Sequence, residues 1–193
     1  YYYENKNINI KSNYNFGILN GDYTVINQAG FLTKKCTYKD GKLDGKHMEY
    51  DNQKISFERT YKEGILHGPA VIYNNRQIIV KCTNYQNGKE DGDHKEFYED
   101  GTIKAEYLYK NGVMNGPYTL YDMDGQRTET GTYVNNIKVG NCKQYNANGN
   151  IETEMNFNQT GNMDKEQKRF DANGNQICTE IWDNGIKSKT IYH

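Results

Sequence analysis

A tyrosine standing three residues before a glycine, or before the place of one, returns at Tyr14, Tyr38, Tyr61, Tyr85, Tyr109 and Tyr133, at spacings of 24, 23, 24, 24 and 24 residues. A fixed period of this size marks a repeat architecture, in which each unit buries its apolar surface only against its neighbours. Phe157 holds the next place, and Trp182 the one after, following a one-residue insertion. The first glycine column is Gly17, Gly41, Gly64, Gly88 and Gly112; the second is Gly21, Gly45, Gly68, Gly92, Gly116 and Gly140. A second aromatic column follows at Tyr50, Tyr73, Phe97, Tyr121 and Tyr145, then turn glycines at Gly30, Gly101, Gly125, Gly149 and Gly174. Residues 1–193 read as one continuous array, with units starting near 14, 38, 61, 85, 109, 133, 157 and 181 and partial units at both ends. Tyr2 and Ile8 fall in register with it, so the array opens inside a unit.

Each unit reads as two antiparallel strands. Asp100-Gly101, Asp124-Gly125 and Asn148-Gly149 are expected as tight hairpin turns with both central residues at positive φ. Asp40-Gly41, Asn87-Gly88, Asn111-Gly112 and Asn184-Gly185 mark the opposite turns. Between turns the pattern alternates, with Ile103, Ala105, Tyr107 and Tyr109 on one face and Lys104, Glu106 and Leu108 on the other. Glycine recurs too densely for helix. The expected fold is all-β, an elongated single-layer antiparallel meander without helices, a twisted ribbon on the order of 75 Å long. Stacked tyrosines, each against its counterpart in the next unit, are expected to hold it, at roughly 0.2–1 kcal/mol per cross-strand pair.

Composition agrees with a thin core. Hydrophobic residues are 35% and mean hydropathy is -1.04, yet aromatics reach 13%, with 18 tyrosines, which separates the chain from disordered sequences. A net charge of -1 gives no long-range pull toward nucleic acid. No apolar run approaches the ~20 residues that span a bilayer.

The segments Tyr-Lys-Asp-Gly-Lys-Leu-Asp-Gly (38–45) and Tyr-Lys-Asn-Gly-Val-Met-Asn-Gly (109–116) resemble the membrane occupation and recognition nexus (MORN) repeat, and more closely the bacterial MORN-variant repeat of antitoxin-like and exported proteins. The resemblance covers nearly the whole chain. It implies an extended antiparallel sheet used for protein–protein contact, scaffolding or self-association, and for phospholipid binding in some accounts. The structural repeat positions are Tyr38, Gly41, Gly45, Tyr61, Gly64, Gly68, Tyr85, Gly88, Gly92, Tyr109, Gly112 and Gly116. Asn136 replaces the first glycine of the sixth unit, and Asp164-Lys165 the second glycine of the seventh, where a bend or bulge is expected.

Chemistry-bearing groups are dispersed by the period. His47, His94 and Cys142 share one repeat position, but neighbours are two repeats or roughly 19 Å apart, too far to share a metal. Cys36 and Cys82, and Cys142 and Cys178, are too far apart to bridge. The Asp122-x-Asp124-Gly125, Asn146-x-Asn148-Gly149 and Asp171-x-Asn173-Gly174 stretches share the opening of a calcium loop without its later ligands, and read as hairpin turns. No catalytic residue, cofactor or metal is expected, and the chain is not read as an enzyme.

The expected function is a non-enzymatic scaffold that binds a protein partner, or a second copy, through the aromatic face or an open sheet edge near 3–10 or 187–192. Tyr73, Phe97, Tyr107, Tyr118, Tyr121 and Tyr145 are the partner-binding candidates. Lys6, Lys11, Lys187 and Lys189 could instead blunt those edges. The alternatives are a membrane-surface phospholipid binder and an antitoxin or immunity-type protein that neutralises a toxin; nucleic acid is not expected. Four unpaired thiols favour an intracellular compartment, with an exported or cell-surface chain whose signal segment is removed as the alternative.

Overall fold

In a computed structural model, tight turns and wider loops join successive strands along the described chain, which comprises residues 1–2, 4 and 9–193. The register of Ile8 and the edge residues Tyr3 and Lys6 lie outside the described residues. Sixteen strands follow one another in chain order in one antiparallel sheet, and no helix occurs among the described residues. They are β1 (Ile10–Asn15), β2 (Ile18–Ile26), β3 (Leu32–Lys39), β4 (Lys42–Asp51), β5 (Lys54–Lys62), β6 (Ile65–Tyr73), β7 (Ile79–Gln86) and β8 (Lys89–Phe97). Then come β9 (Ile103–Lys110), β10 (Val113–Tyr121), β11 (Arg127–Val134), β12 (Ile137–Tyr145), β13 (Ile151–Phe157), β14 (Lys165–Phe170), β15 (Gln176–Asp183) and β16 (Ile186–Tyr192). Two compact units divide the chain, one of residues 1–92 and 99–101, the other of residues 93–98 and 102–193.

The two kinds of turn are assigned the other way round from the expectation. Asp40-Gly41, Asn87-Gly88, Asn111-Gly112 and Asn184-Gly185 are the tight two-residue turns, with both residues at positive φ. Asn135-Asn136 keeps that conformation (φ 50 and 67) without a glycine, because asparagine tolerates the left-handed region. At Asp124-Gly125 and Asn148-Gly149 only the glycine is left-handed. These belong to three-residue loops, each a reverse turn followed by a left-handed glycine. Gly125 N–H donates to Asp122 O at 3.1 Å, and Asp122 N–H to Gln126 O at 2.9 Å. The Asp122 carboxylate selects this form, since its Oδ1 accepts from the N–H groups of Asp124 and Gln126. Asn146 and Asp171 do the same in their own loops. The one 23-residue spacing arises where Asn52-Gln53, a two-residue turn, replaces such a loop.

Second-column glycines sit inside strands β2, β4, β6, β10 and β12, at bulges. Gly45 faces Tyr61, Gly68 faces Tyr85, and Gly116 faces Tyr133, so each glycine lies opposite the first-column tyrosine of the next unit. Gly45 and Gly68 both take φ +103, where a side chain is strained.

Burial concentrates along one row of cross-strand partners. In the first unit it runs Ser12, Tyr23, Cys36, His47, Arg59, Ala70, Thr83 across β1 to β7. In the second, Tyr107 pairs Tyr118, Tyr118 pairs Gly131, Cys142 pairs Met155, and Gln167 pairs Glu180. Cys36, His47, Ala70, Thr83, Tyr118, Cys142, Gln167 and Glu180 are all buried. The first-column tyrosines lean on this row, which corrects the expectation that each stacks on its own counterpart. Tyr38 packs on Tyr23 (ring centroids 5.5 Å apart), Tyr61 on His47 (5.8 Å), Tyr109 on His94 (5.0 Å) and Tyr133 on Tyr118 (4.8 Å).

The expected bulge is present in the seventh unit. The loop at 158–162 has three central residues where other units have a two-residue turn, which is the inserted residue, and Lys165 takes φ 62 in the second-glycine place. The β13–β14 ladder is short, and the buried Gln167 side chain fills it. Its Oε1 accepts from Asn156 N–H at 2.7 Å, while its Nε2 donates to Asn156 O at 3.0 Å and Asp164 O at 2.9 Å.

Two predictions follow from the row. A Cβ on Gly131 would lie 2.5 Å from Cys142 Sγ and 2.8 Å from the Tyr118 ring. Gly131→Ala is therefore expected to cost about 1–3 kcal/mol in urea unfolding, although its backbone φ is not left-handed. His47 titrates below its ordinary range because burial, and then the Lys34 and Arg59 charges, outweigh Glu49. The unfolded imidazole, at about 6.5, binds a proton first. Stability should thus fall as pH drops below about 6.5 and level off beneath the folded value. His47→Tyr, the residue type at position 23 of the same row, should flatten that part of a Tm-against-pH profile.

Candidate partner-binding surface

The pleat divides the six candidate residues between two faces. Tyr107 and Tyr118 belong to the face that carries the buried row, with ring centroids 6.3 Å apart. Tyr118 is only 3% exposed, so it offers little surface to a partner. Its hydroxyl donates to Glu129 Oε1 at 2.5 Å and lies 3.6 Å from Cys142 Sγ. Lys138 Nζ donates to the same carboxylate and stands 5.2 Å over the Tyr118 ring, and Gln144 Nε2 donates to Glu129 Oε2 at 3.2 Å. Burial raises the Tyr118 phenol, and its bond to Glu129 raises it further. Burial also pushes Glu129 up, but the bonds from Lys138, Tyr118 and Gln144 outweigh it and hold the carboxyl below its usual range. This network is a satisfied half-buried ion pair on a buried phenol, in which every member already has its partner.

The other four lie on the opposite face, as the last or next-to-last ring of an even-numbered strand. Tyr121 ends β10, and its hydroxyl donates to Glu106 Oε2 at 2.8 Å, on the far side from Tyr107. Lys95 Nζ holds the other Glu106 oxygen at 2.7 Å. These two hydrogen bonds keep the Glu106 carboxyl below its ordinary range. Tyr145 ends β12; its hydroxyl is 3.2 Å from Thr130 Oγ1, and the Arg127 guanidinium lies 5.1 Å over its ring. Phe97 ends β8, Tyr73 ends β6, and Phe170, not anticipated from the sequence, ends β14 at the corresponding place. All are half-buried. Glu58, within electrostatic reach of Tyr73, places that ring on the same face in the first unit.

Three lysines on this face are matched by acids one strand away. Lys46 pairs Glu58 at 3.4 Å, Lys95 pairs Glu106 at 2.7 Å and Lys143 pairs Glu154 at 3.4 Å. On the row face, Lys187 of the C-terminal strand turns back to the buried Glu180 at 3.2 Å.

The oxygens of Asp122, Asn146 and Asp171 cap their own loops, which is the turn reading of the calcium-like stretches. The four cysteines carry no disulfide, and Cys36, Cys142 and Cys178 are buried.

A family model described as "MORN repeat variant" matches residues 90–111 and 138–159. Each stretch spans an even strand, the wide loop and the odd strand after it, β8–β9 and β12–β13. No curated protein matches the chain. Among solved structures, a mutant of S. aureus TarM in complex with fondaparinux, alpha-GlcNAc-glycerol and UDP is similar over 55% of this chain and 22% of that one, at 10% identity and a TM-score of 0.34. A likeness this slight carries no argument about fold or activity.

If the Tyr118 network supports the sheet and the Tyr121 ring does not, the two tyrosines should separate on removal of the hydroxyl. Tyr118→Phe strips the half-buried Glu129 carboxylate of a donor and should cost about 1–3 kcal/mol. Tyr121→Phe, with Lys95 still on Glu106, should cost under about 1 kcal/mol by the same measurement.

Proposed function

We propose that the chain, of which residues 90–111 and 138–159 match the MORN repeat variant, acts by binding rather than by catalysis, as a scaffold for a protein partner. Repeats of this family are generally associated with protein or membrane binding. The reading rests on one observation. The face opposite the buried row presents half-buried rings among charges that are already paired in Lys–Glu couples. Rings of this kind supply contact area at little entropic cost. Paired cations give little attraction to anionic lipid, which calls for clustered, unneutralised Lys or Arg.

The membrane reading is second, and the tight-turn edge of the first unit favours it. Phe16 is 99% exposed at the tip of the first tight turn, followed by Ile18, and Lys39 and Lys42 flank the next.

Two assays on the same preparation separate the readings. A photocrosslinking residue at position 121, in extract of the source cell, should capture a single protein in stoichiometric yield. The chain should stay in the supernatant when anionic phosphatidylserine vesicles are pelleted. Sedimentation with the vesicles, abolished by Phe16→Ser and without a protein crosslink, would reverse the order. A captured toxin whose activity the chain abolishes would replace scaffold with antitoxin.

A further inference from the structure

We infer that the ring column of the second unit is a docking track for a proline-rich, basic segment in the polyproline II conformation. This rests on the protein-binding reading above and names the chemistry of the partner.

The spacing selects the ligand. Phe97, Tyr121 and Tyr145 are each 24 residues apart and close successive even strands β8, β10 and β12. Two strands separate neighbouring rings, which sets them about 9.6 Å apart. A polyproline II helix advances about 9.3 Å in each three-residue turn, so a proline at every third position meets a ring at every step. Over three rings the mismatch stays below about 1 Å. An extended strand repeats its side-chain face every ~6.7 Å. Two turns of α-helix advance about 10.8 Å. Neither keeps step as well.

The rings are also held for stacking. Tyr121 is tethered to Glu106 and Tyr145 to Thr130, each by its hydroxyl, across to the preceding strand. Arg127 over the Tyr145 ring shows that this ring's face accepts a guanidinium. The charge around the column fits a basic ligand. Lys95–Glu106 and Lys143–Glu154 neutralise each other on this face, and along the chain after the three rings Glu99, Asp100, Asp122, Asp124 and Glu152 stand against Lys104 and Arg127, five carboxylates to two cations. Flat aromatic rows that receive prolines, with acids that receive a flanking arginine, use the low ordering cost of a helix that is preformed in the free peptide.

The test uses the full chain and two fluorescein-labelled dodecapeptides, one with proline at every third position and arginine at both ends, the other with glycine for each proline. Fluorescence anisotropy should show saturable binding of the proline peptide and at least tenfold weaker binding of the glycine peptide. Tyr121→Ala should weaken the proline peptide about tenfold. Asp124→Lys, which leaves the rings in place, should weaken it severalfold with an unchanged Tm. Absence of saturable binding, equal affinity for the two peptides, or affinity unchanged in both variants overturns the inference. If the peptide fails but the position-121 crosslink to a protein persists, the docking chemistry falls and the scaffold reading stands; if both fail, both fall.

Discussion

Everything in this sheet depends on a single row of cross-strand partners. With one layer, a residue is buried only by the neighbours on its own face, and the row through Cys36, His47 and Ala70 in one unit, and Tyr118 and Cys142 in the other, is where they close over one another. Volume is therefore shared between adjacent strands. Tyr118 fills its own place and part of the next, which only Gly131 leaves open. Beside Tyr118 the row supplies hydrogen-bond partners, Glu129 to the phenol and Lys138 to Glu129, whereas the buried His47 ring nitrogens and Thr83 hydroxyl make no hydrogen bond.

Length changes are tolerated because they stay in the turns. Asn52-Gln53 shortens one unit, and the Gln77 side chain of the next loop bonds both backbone groups of Ile55, its Oε1 accepting from the N–H and its Nε2 donating to the O. The 158–162 loop lengthens another, and the Gln167 amide stands in for the missing ladder bonds. In both cases a glutamine amide, with a donor and an acceptor at one end, imitates a peptide group. The row keeps its register on either side, Arg59 against Ala70 and Gln167 against Glu180.

The period, the strand count per unit and the alternation at 103–109 were legible in the sequence because each is a property of spacing. Turn type was not. Asp40-Gly41 and Asp124-Gly125 are the same dipeptide, and the difference lies two residues upstream, where Asp122 can accept from two N–H groups. Gly131 lies outside both glycine columns, so no periodicity marks it; only the sizes of Tyr118 and Cys142, brought together by the pairing of β10, β11 and β12, explain it. Parity divides the six candidate rings between the two faces. Tyr118 and Tyr121 are three residues apart in one strand, and an odd step puts them on opposite faces. That distinction is contained in the alternation itself.

That parity separates two duties. Rings on the row face are fixed by what the fold needs, and Tyr118 can change only with Gly131 and Cys142. Rings on the opposite face are held by their hydroxyls to single side chains, Tyr121 to Glu106 and Tyr145 to Thr130. Substitution there removes one half-buried pair and leaves the row intact. A repeat array built this way can alter the chemistry of one face, unit by unit, while the other keeps every strand in register. Phe97, which lacks a hydroxyl at the same position, is already such a change. The 24-residue period is imposed by packing on the row face, and the opposite face inherits it as a ruler of about 9.6 Å.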